Sequence, residues 1–348
     1  MSRFILLGLS NDSLPIQALF RDIADQKIPN ARYFCFPVVF EHKLRVLRFL
    51  TGRKLKRLME RHTVIQRLFG PIAKAAAKLP RPIDLRRLRP LLSDAEENYL
   101  ILCVGIGYEW VNPRLVKTLK DDPLCHHVIF YLIDSVADNA VAYGRSMDDL
   151  LALFRMFDNV FTYNAADAEQ FSDCVQYIDI PLWTTNPPPM RIAPPSADLY
   201  FCGRNKNRRD LVASISDRLA RAGMKCSCLL ADRENPEASP DRWVPYEDTL
   251  RGLFDANCVL EVLTKTNAAP TLRFKEAVVY NKKLLTNNPN ISALPYYDPR
   301  WMRTFQTAED IDLDWLHAVE PVDYGYQGDY SAQTFLNRVE ELAARSKR

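Results

Sequence analysis

Glycine is scarce in this chain, with eleven in 348 residues, about 3 % against a usual ~7 %. Loops that wrap a phosphate in backbone N–H groups normally rely on glycine, so few such loops are available. Gly105-Ile106-Gly107 follows an apolar run, but Trp110 stands where a dinucleotide fingerprint requires a third small residue, which argues against a nicotinamide site. There is no Walker lysine loop, GxSxG elbow or HExxH pair. Long hydrophobic runs are missing too: Tyr99 to Ile106 and Val128 to Ile133 fall far short of the ~20 residues that cross a bilayer. Met1 to Ser10 lacks a small-residue cleavage site and reads as a first strand rather than a signal peptide. No CxxC occurs. The eight cysteines are scattered, mostly within apolar runs, as reduced core residues of a cytoplasmic protein would be. Cys226 and Cys228, in KCSCLL, would share one strand face and have no histidine nearby to complete a metal site.

What the chain does have is an ordinary globular balance, 47 % hydrophobic and 26 % charged, over a length that suits two domains of about 150 residues each. Its net charge of +3 conceals an asymmetry. Between Glu41 and Arg89 stand fifteen Lys or Arg against three Asp or Glu, near +12, leaving about −9 for the remainder. Within that window, residues 43–62 place Leu44, Leu47, Leu50, Leu55 and Leu58 at helical spacing with cations between them. Such a helix suits an anionic membrane surface, or an acidic or pyrophosphate-bearing partner, as well as it suits plain solvation. Nucleic acid is disfavoured, because only Phe49 and Phe69 interrupt the cations with aromatic rings.

The apolar pattern predicts strands at Phe4 to Leu9, Arg32 to Phe40, Tyr99 to Gly105, His127 to Ile133, Val160 to Tyr163 and Val175 to Ile178. Helices fall between them, at Leu14 to Gln26, Pro113 to Lys120 and Ser146 to Phe157. Six prolines in residues 181–195 mark a linker. Beyond it, strands at Leu199 to Cys202, Lys225 to Leu230, Val259 to Leu263 and Leu284 to Thr286 alternate with helices at Arg208 to Ala222, Tyr246 to Asp255 and around Phe274. Alternation of this kind means a parallel sheet with ligand loops at the strand C-termini. A last helix is expected over Ala332 to Ala344. The expected division is 1–180 with a basic helical insert at 41–92, the linker 181–195, a second domain at 196–330 and a closing helix at 331–348.

Residues 271–288, TLRFKEAVVYNKKLLTNN, carry the most chemistry. A helix beginning at Thr271 or Leu272 would offer N–H groups to a diphosphate, with Arg273 in reach of it, and Glu276 one turn on would accept hydrogen bonds from ribose hydroxyls. An ordinary strand–loop–helix–strand accounts for the same spacing. Gly203-Arg204-Asn205-Lys206-Asn207 follows a strand and precedes a helix, which makes Gly203, Arg204 and Lys206 the other candidate phosphate contacts.

These segments resemble the C-terminal nucleotide-binding half of GT-B glycosyltransferases of bacterial lipopolysaccharide and capsule biosynthesis. The likeness rests on TLRFKEAVVYNKKLLTNN, on DLYFCGRNKNRRD at Asp198 to Asp210, and on Phe157 to Trp183 as the last unit of the preceding half. It covers roughly residues 155–290. It implies two Rossmann-like domains with parallel sheets facing across a cleft, a nucleotide-sugar as donor substrate, no cofactor or metal, and a lipid-linked or glycan acceptor. Trp243 to Tyr246 would stand where such enzymes grip the nucleobase, which makes Tyr246 a donor-site candidate. The first domain would bind the acceptor and, in an inverting enzyme, supply a general base; Asp134 and Glu109, each after a central strand, precede Asp12 as candidates. TNAAP replaces the usual Gly-rich loop before the acidic helix. A non-catalytic binding or scaffold protein of the same fold and a nucleotide-sugar epimerase are the competing readings. Asp312-Leu313-Asp314 and Cys125-His126-His127 read as structural rather than metal-binding, the latter because strand neighbours face opposite ways.

Overall fold

The computed structural model describes residues 2–8, 14–35, 85–103, 111–137, 140, 146–187, 194–205, 207–231, 244–263 and 271–346. The amphipathic stretch 43–62 lies outside the described residues. So does most of the insert expected at 41–92; its described end, 85–92, forms two 3-10 turns, Leu85–Arg87 and Arg89–Leu91.

The chain forms two compact units. The first comprises Met1–Ile16, Ile23–Ile178 and Leu336–Arg348. Its strands are β1 (Ser2–Gly8), β2 (Ala31–Cys35), β3 (Glu97–Cys103), β4 (His127–Leu132), β5 (Asn159–Thr162) and β6 (Gln176–Tyr177). They make one sheet in the order β2-β1-β3-β4-β5-β6, with every pairing parallel. All six residues of β4 are buried, as a strand covered on both faces requires. Each Val, Ile, Leu or Phe so buried stabilises by roughly 1.5–3 kcal/mol.

The predicted helix over Leu14 to Gln26 is instead two short ones, α1 (Leu14–Ala18) and α2 (Arg21–Ala24). At the break the Ala18 carbonyl accepts the Trp183 N–H at 2.7 Å, a tertiary contact at the end of α1. Helix α3 (Pro113–Lys120) starts with proline at its first turn and is capped by Asn112, whose side chain accepts the N–H groups of Arg114 and Leu115. Ser146 caps α4 (Met147–Phe154), and Asn164 caps α5 (Ala165–Gln170), a helix that the apolar pattern did not predict.

The second unit comprises Gln17–Asp22 and Asp179–Phe335. Its strands are β7 (Ala197–Arg204), β8 (Cys226–Ala231), β9 (Ala256–Glu261), β10 (Lys283–Thr286) and β11 (Met302–Thr304). The helices are α6 (Arg209–Arg221), α7 (Tyr246–Phe254), α8 (Leu272–Val279) and α9 (Leu313–His317); α10 (Ala332–Ser346) starts in this unit, and its residues from Leu336 on belong to the first. The second sheet runs β11-β10-β9-β7-β8, again entirely parallel. Both units are therefore Rossmann-like, with the parallel sheets that the alternation predicts and the two such domains that the resemblance implies. Each sheet reverses strand order once, between β1 and β3 and between β7 and β9, and ligands of open α/β sheets bind outside the strand C-termini at such a point.

Two sequence strings resolve as structural. Asp312 caps α9, accepting the Trp315 N–H at 3.0 Å. His127 stacks on Tyr99, ring centroids 4.2 Å apart, and contacts Glu97 at 2.7 Å, while His126 accepts the Asn98 N–H.

Candidate functional site

The switch point of the second sheet brings together the C-terminal ends of β7 and β9. The last residue of β9, Glu261, is wholly buried. Its Oε1 accepts from the Thr271 N–H at 2.8 Å and from Thr271 Oγ1 at 2.7 Å, and its Oε2 accepts from Thr286 Oγ1 at 2.7 Å. Three donors on one carboxylate offset much of what burial costs. Burial nonetheless pushes the Glu261 carboxyl above its ordinary pKa, with the Thr286 and Thr271 hydrogen bonds and the Arg273 charge opposing.

Thr271 is the N-cap of α8: its hydroxyl, besides donating to Glu261, accepts the Arg273 N–H at 3.1 Å. Two N–H groups at this helix start, those of Thr271 and Arg273, are thus already engaged within the protein. Leu272, the first helical residue, is half-buried.

One turn on, Glu276 is also wholly buried. Tyr246 Oη donates to its Oε1 at 2.9 Å, and Arg273 Nη1 pairs with its Oε2. Arg273 Nη2 donates to the Cys202 carbonyl near the end of β7 at 2.8 Å, so one guanidinium spans the switch point. Burial alone would lower the Arg273 pKa, but the adjacent Glu276 charge leaves it raised. Both oxygens of Glu276 therefore face protein donors, and with the residue wholly buried the carboxylate presents no exposed oxygen to a ribose hydroxyl. Tyr246, only 1 % exposed, holds Glu276 and offers no ring face to a base.

On the β7 side, Gly203 and Arg204 end the strand, Gly203 half-buried and Arg204 exposed. Lys206 lies outside the described residues. The cation that the sequence reasoning passed over is Arg208, at the N-cap position of α6. Its pKa is lowered, first by burial and then by the like charge of Arg273, with Glu261 opposing. Its Nε is buried and has no acceptor among the described residues. Its signal in the sequence is the second half of NKNRRD, where the helix begins, one step beyond the loop cations Arg204 and Lys206.

In the first unit, Asp134 is exposed, two residues past the end of β4. Glu109 and Asp12 lie outside the described residues, as do Trp243 and the TNAAP loop.

Lys275, on the opposite side of α8 from the site, is 3 % exposed. Its ammonium contacts Asp179 at 2.5 Å and sits 3.4 Å from the Tyr330 ring centroid. This clamp fixes α8 to the segments at 179–183 and 330–331, which are themselves joined by the Leu182 N–H to Tyr330 carbonyl bond at 2.7 Å.

No protein-family profile and no curated protein matches the chain. Among solved structures it is similar to TarM, with 10 % identity and a TM-score of 0.46 over 74 % of this chain. It is also similar to accessory secretory protein 1,2 and 3 of Streptococcus pneumoniae, with 10 % identity and a TM-score of 0.42 over 80 % of the chain. A third similarity is to the glycosylation associate protein complex (Gap123) of Streptococcus agalactiae, with 9 % identity and a TM-score of 0.38 over 76 %. The chain spans 57 %, 57 % and 54 % of those three structures, respectively.

Proposed function

We propose that this protein is a glycosyltransferase that moves a sugar from a nucleotide-sugar donor to a lipid-linked or glycan acceptor in surface polysaccharide synthesis. The observation that carries the reading is the pair of guanidiniums at the β7–β9 switch point. Arg208 is charged, half-buried and repelled by Arg273, and its Nε lacks an acceptor among the described residues; a diphosphate there would supply both the acceptor and the opposite charge. Neutralising the departing nucleoside diphosphate in this way lowers the barrier to sugar transfer without a metal ion.

In this reading Arg208 and Arg273 hold the diphosphate, with Arg204, Lys206, Gly203 and the α8 start at Thr271 and Leu272 around it. Glu276 and Tyr246 act as positioning residues that fix Arg273. Asp134 or Glu109 in the first unit serves as the general base of an inverting reaction. The basic stretch 43–62 holds the protein to an anionic membrane surface, where lipid-linked acceptors reside.

The closed Glu276 contacts favour a second reading, a glycan- or nucleotide-binding protein of the same fold without turnover. Calorimetry with UDP-, GDP-, dTDP- and CMP-sugars tests both. The transferase binds one base class and, given an acceptor, releases the nucleoside diphosphate; the binding protein does only the first. Failure of all four donors to bind overturns the proposed donor site.

A further inference from the structure

The edge strand β8 carries a pair of thiols that the proposed sugar-transfer chemistry does not use. Cys226 and Cys228 alternate with the exposed Ser227 and Leu229, and both turn toward α6. Their sulfurs lie 3.1 Å apart, and the Ser216 hydroxyl on α6 donates to both, at 3.6 and 3.7 Å. Both are free and half-buried. Among the described strands β8 pairs only with β7, so one edge of the dithiol strand has no strand neighbour.

The geometry points to a reversible modification site: Cys226 and Cys228 form an intrastrand disulfide by exchange with a low-molecular-weight disulfide. The sulfurs need to close by only about 1 Å to reach a covalent S–S length of ~2.05 Å. Two residues of extended strand put the Cα atoms about 6.6 Å apart, near the upper end of the ~4.4–6.8 Å that a disulfide spans. Such a bridge carries strain, and strained bridges are the readily reduced ones, which suits a switch rather than a structural staple.

The two thiols are not equivalent. The hydrogen bond from Cys228 holds the Cys226 thiol below its ordinary pKa against burial, with Ser216 assisting. The same bond, with burial, pushes Cys228 up. Cys226 is therefore the attacking thiolate. It attacks one sulfur of the small disulfide and expels one small thiolate. Cys228 then gives up its proton and attacks the Cys226 sulfur, expelling the second. Two protein thiols are oxidised, one small disulfide is reduced to two thiols, and the two protons pass to the departing thiolates.

The test equilibrates the full native chain with glutathione disulfide, quenches with acid, and maps thiols after tryptic cleavage at Lys225 and Arg233, which releases a peptide with only these two cysteines. The expected result is that this peptide becomes lighter by two hydrogens and is restored by dithiothreitol, while the buried Cys103, Cys125 and Cys258 stay reduced. Cys228→Ser is expected to trap one glutathione on Cys226, and Cys226→Ser to react far more slowly at Cys228. The wild-type mapping stands even if either variant fails to fold. A peptide that remains a dithiol, carries two glutathiones, or closes only after urea unfolding overturns the proposal.

Discussion

Replacing Glu276 by alanine tests the buried core of the site more severely than any surface change. The carboxylate is wholly buried, and its two partners, Arg273 and Tyr246, would be left facing each other without an acceptor between them. Removing one partner of a buried ion pair costs about 3–5 kcal/mol. Orphaning the Tyr246 hydroxyl falls partly within that figure, so about 4 kcal/mol is expected, against a total stability of roughly 5–15 kcal/mol. With a urea m-value near ~2 kcal/mol/M, the midpoint should fall by about 2 M. Tryptophan fluorescence is a suitable probe, because Trp183, Trp243, Trp301 and Trp315 belong to the second unit and only Trp110 to the first. The double variant Arg273→Met/Glu276→Leu removes both charges and should recover most of the loss, since apolar replacements of buried pairs are often neutral or stabilising. A midpoint shift under about 0.5 M for Glu276→Ala, or a double variant no better than the single one, would refute the claim that the two side chains stabilise each other.

Lys275 predicts a pH dependence. Burial, outweighing Asp179, lowers its pKa to about 8 from 10.5. Between those values the unfolded chain binds the extra proton, so this group makes stability rise with pH from about 8 to 10.5; below 8 the full cost of the buried charge, about 3 kcal/mol, is present. Lys275→Met should lose that rise, seen as a smaller difference between midpoints at pH 8 and pH 10. Gly252→Ala would place a methyl 2.5 Å from Tyr200 Cε2 and 2.7 Å from Cζ, an overpacking expected to cost about 1–3 kcal/mol and several degrees of Tm. Thr271→Val removes the side-chain cap of α8 and one of the three donors to Glu261, the backbone N–H remaining, so a loss of about 1 kcal/mol in urea melts is expected, with Thr271→Ser restoring most of it.

The parallel sheets were legible because buried strands carry near-continuous apolar runs, such as YLILC in β3 and VIFYL in β4, and prolines and polar loops separate them from the helices. Strand β11 and helix α5 were not, since MRT is too short and AADAEQ too weakly amphipathic to show a period. The single helix expected over Leu14 to Gln26 breaks where a distant backbone donor, Trp183, bonds the Ala18 carbonyl, a contact that no local pattern reveals. At the site, spacing located Thr271, Arg273 and Glu276 on one helix start. It did not reveal that Glu261 and Tyr246 satisfy them from other elements, because those contacts join residues 10 and 30 positions away. NKNRRD places Arg208 at the start of a helix but does not reveal that Arg273 and Glu261, from other elements, set its electrostatics.

The most direct test of the central claim compares a nucleoside with its diphosphate, for the base selected by the donor panel, on wild type and Arg208→Gln by titration calorimetry. Charge-assisted hydrogen bonds to this half-buried guanidinium are expected to contribute about 1.5–3 kcal/mol, so the diphosphate should bind roughly 10- to 150-fold more tightly than the nucleoside on wild type, and most of that increment should vanish in the variant. Equal binding of nucleoside and diphosphate, or an increment unchanged by Arg208→Gln, would contradict a diphosphate site at the β7–β9 switch point.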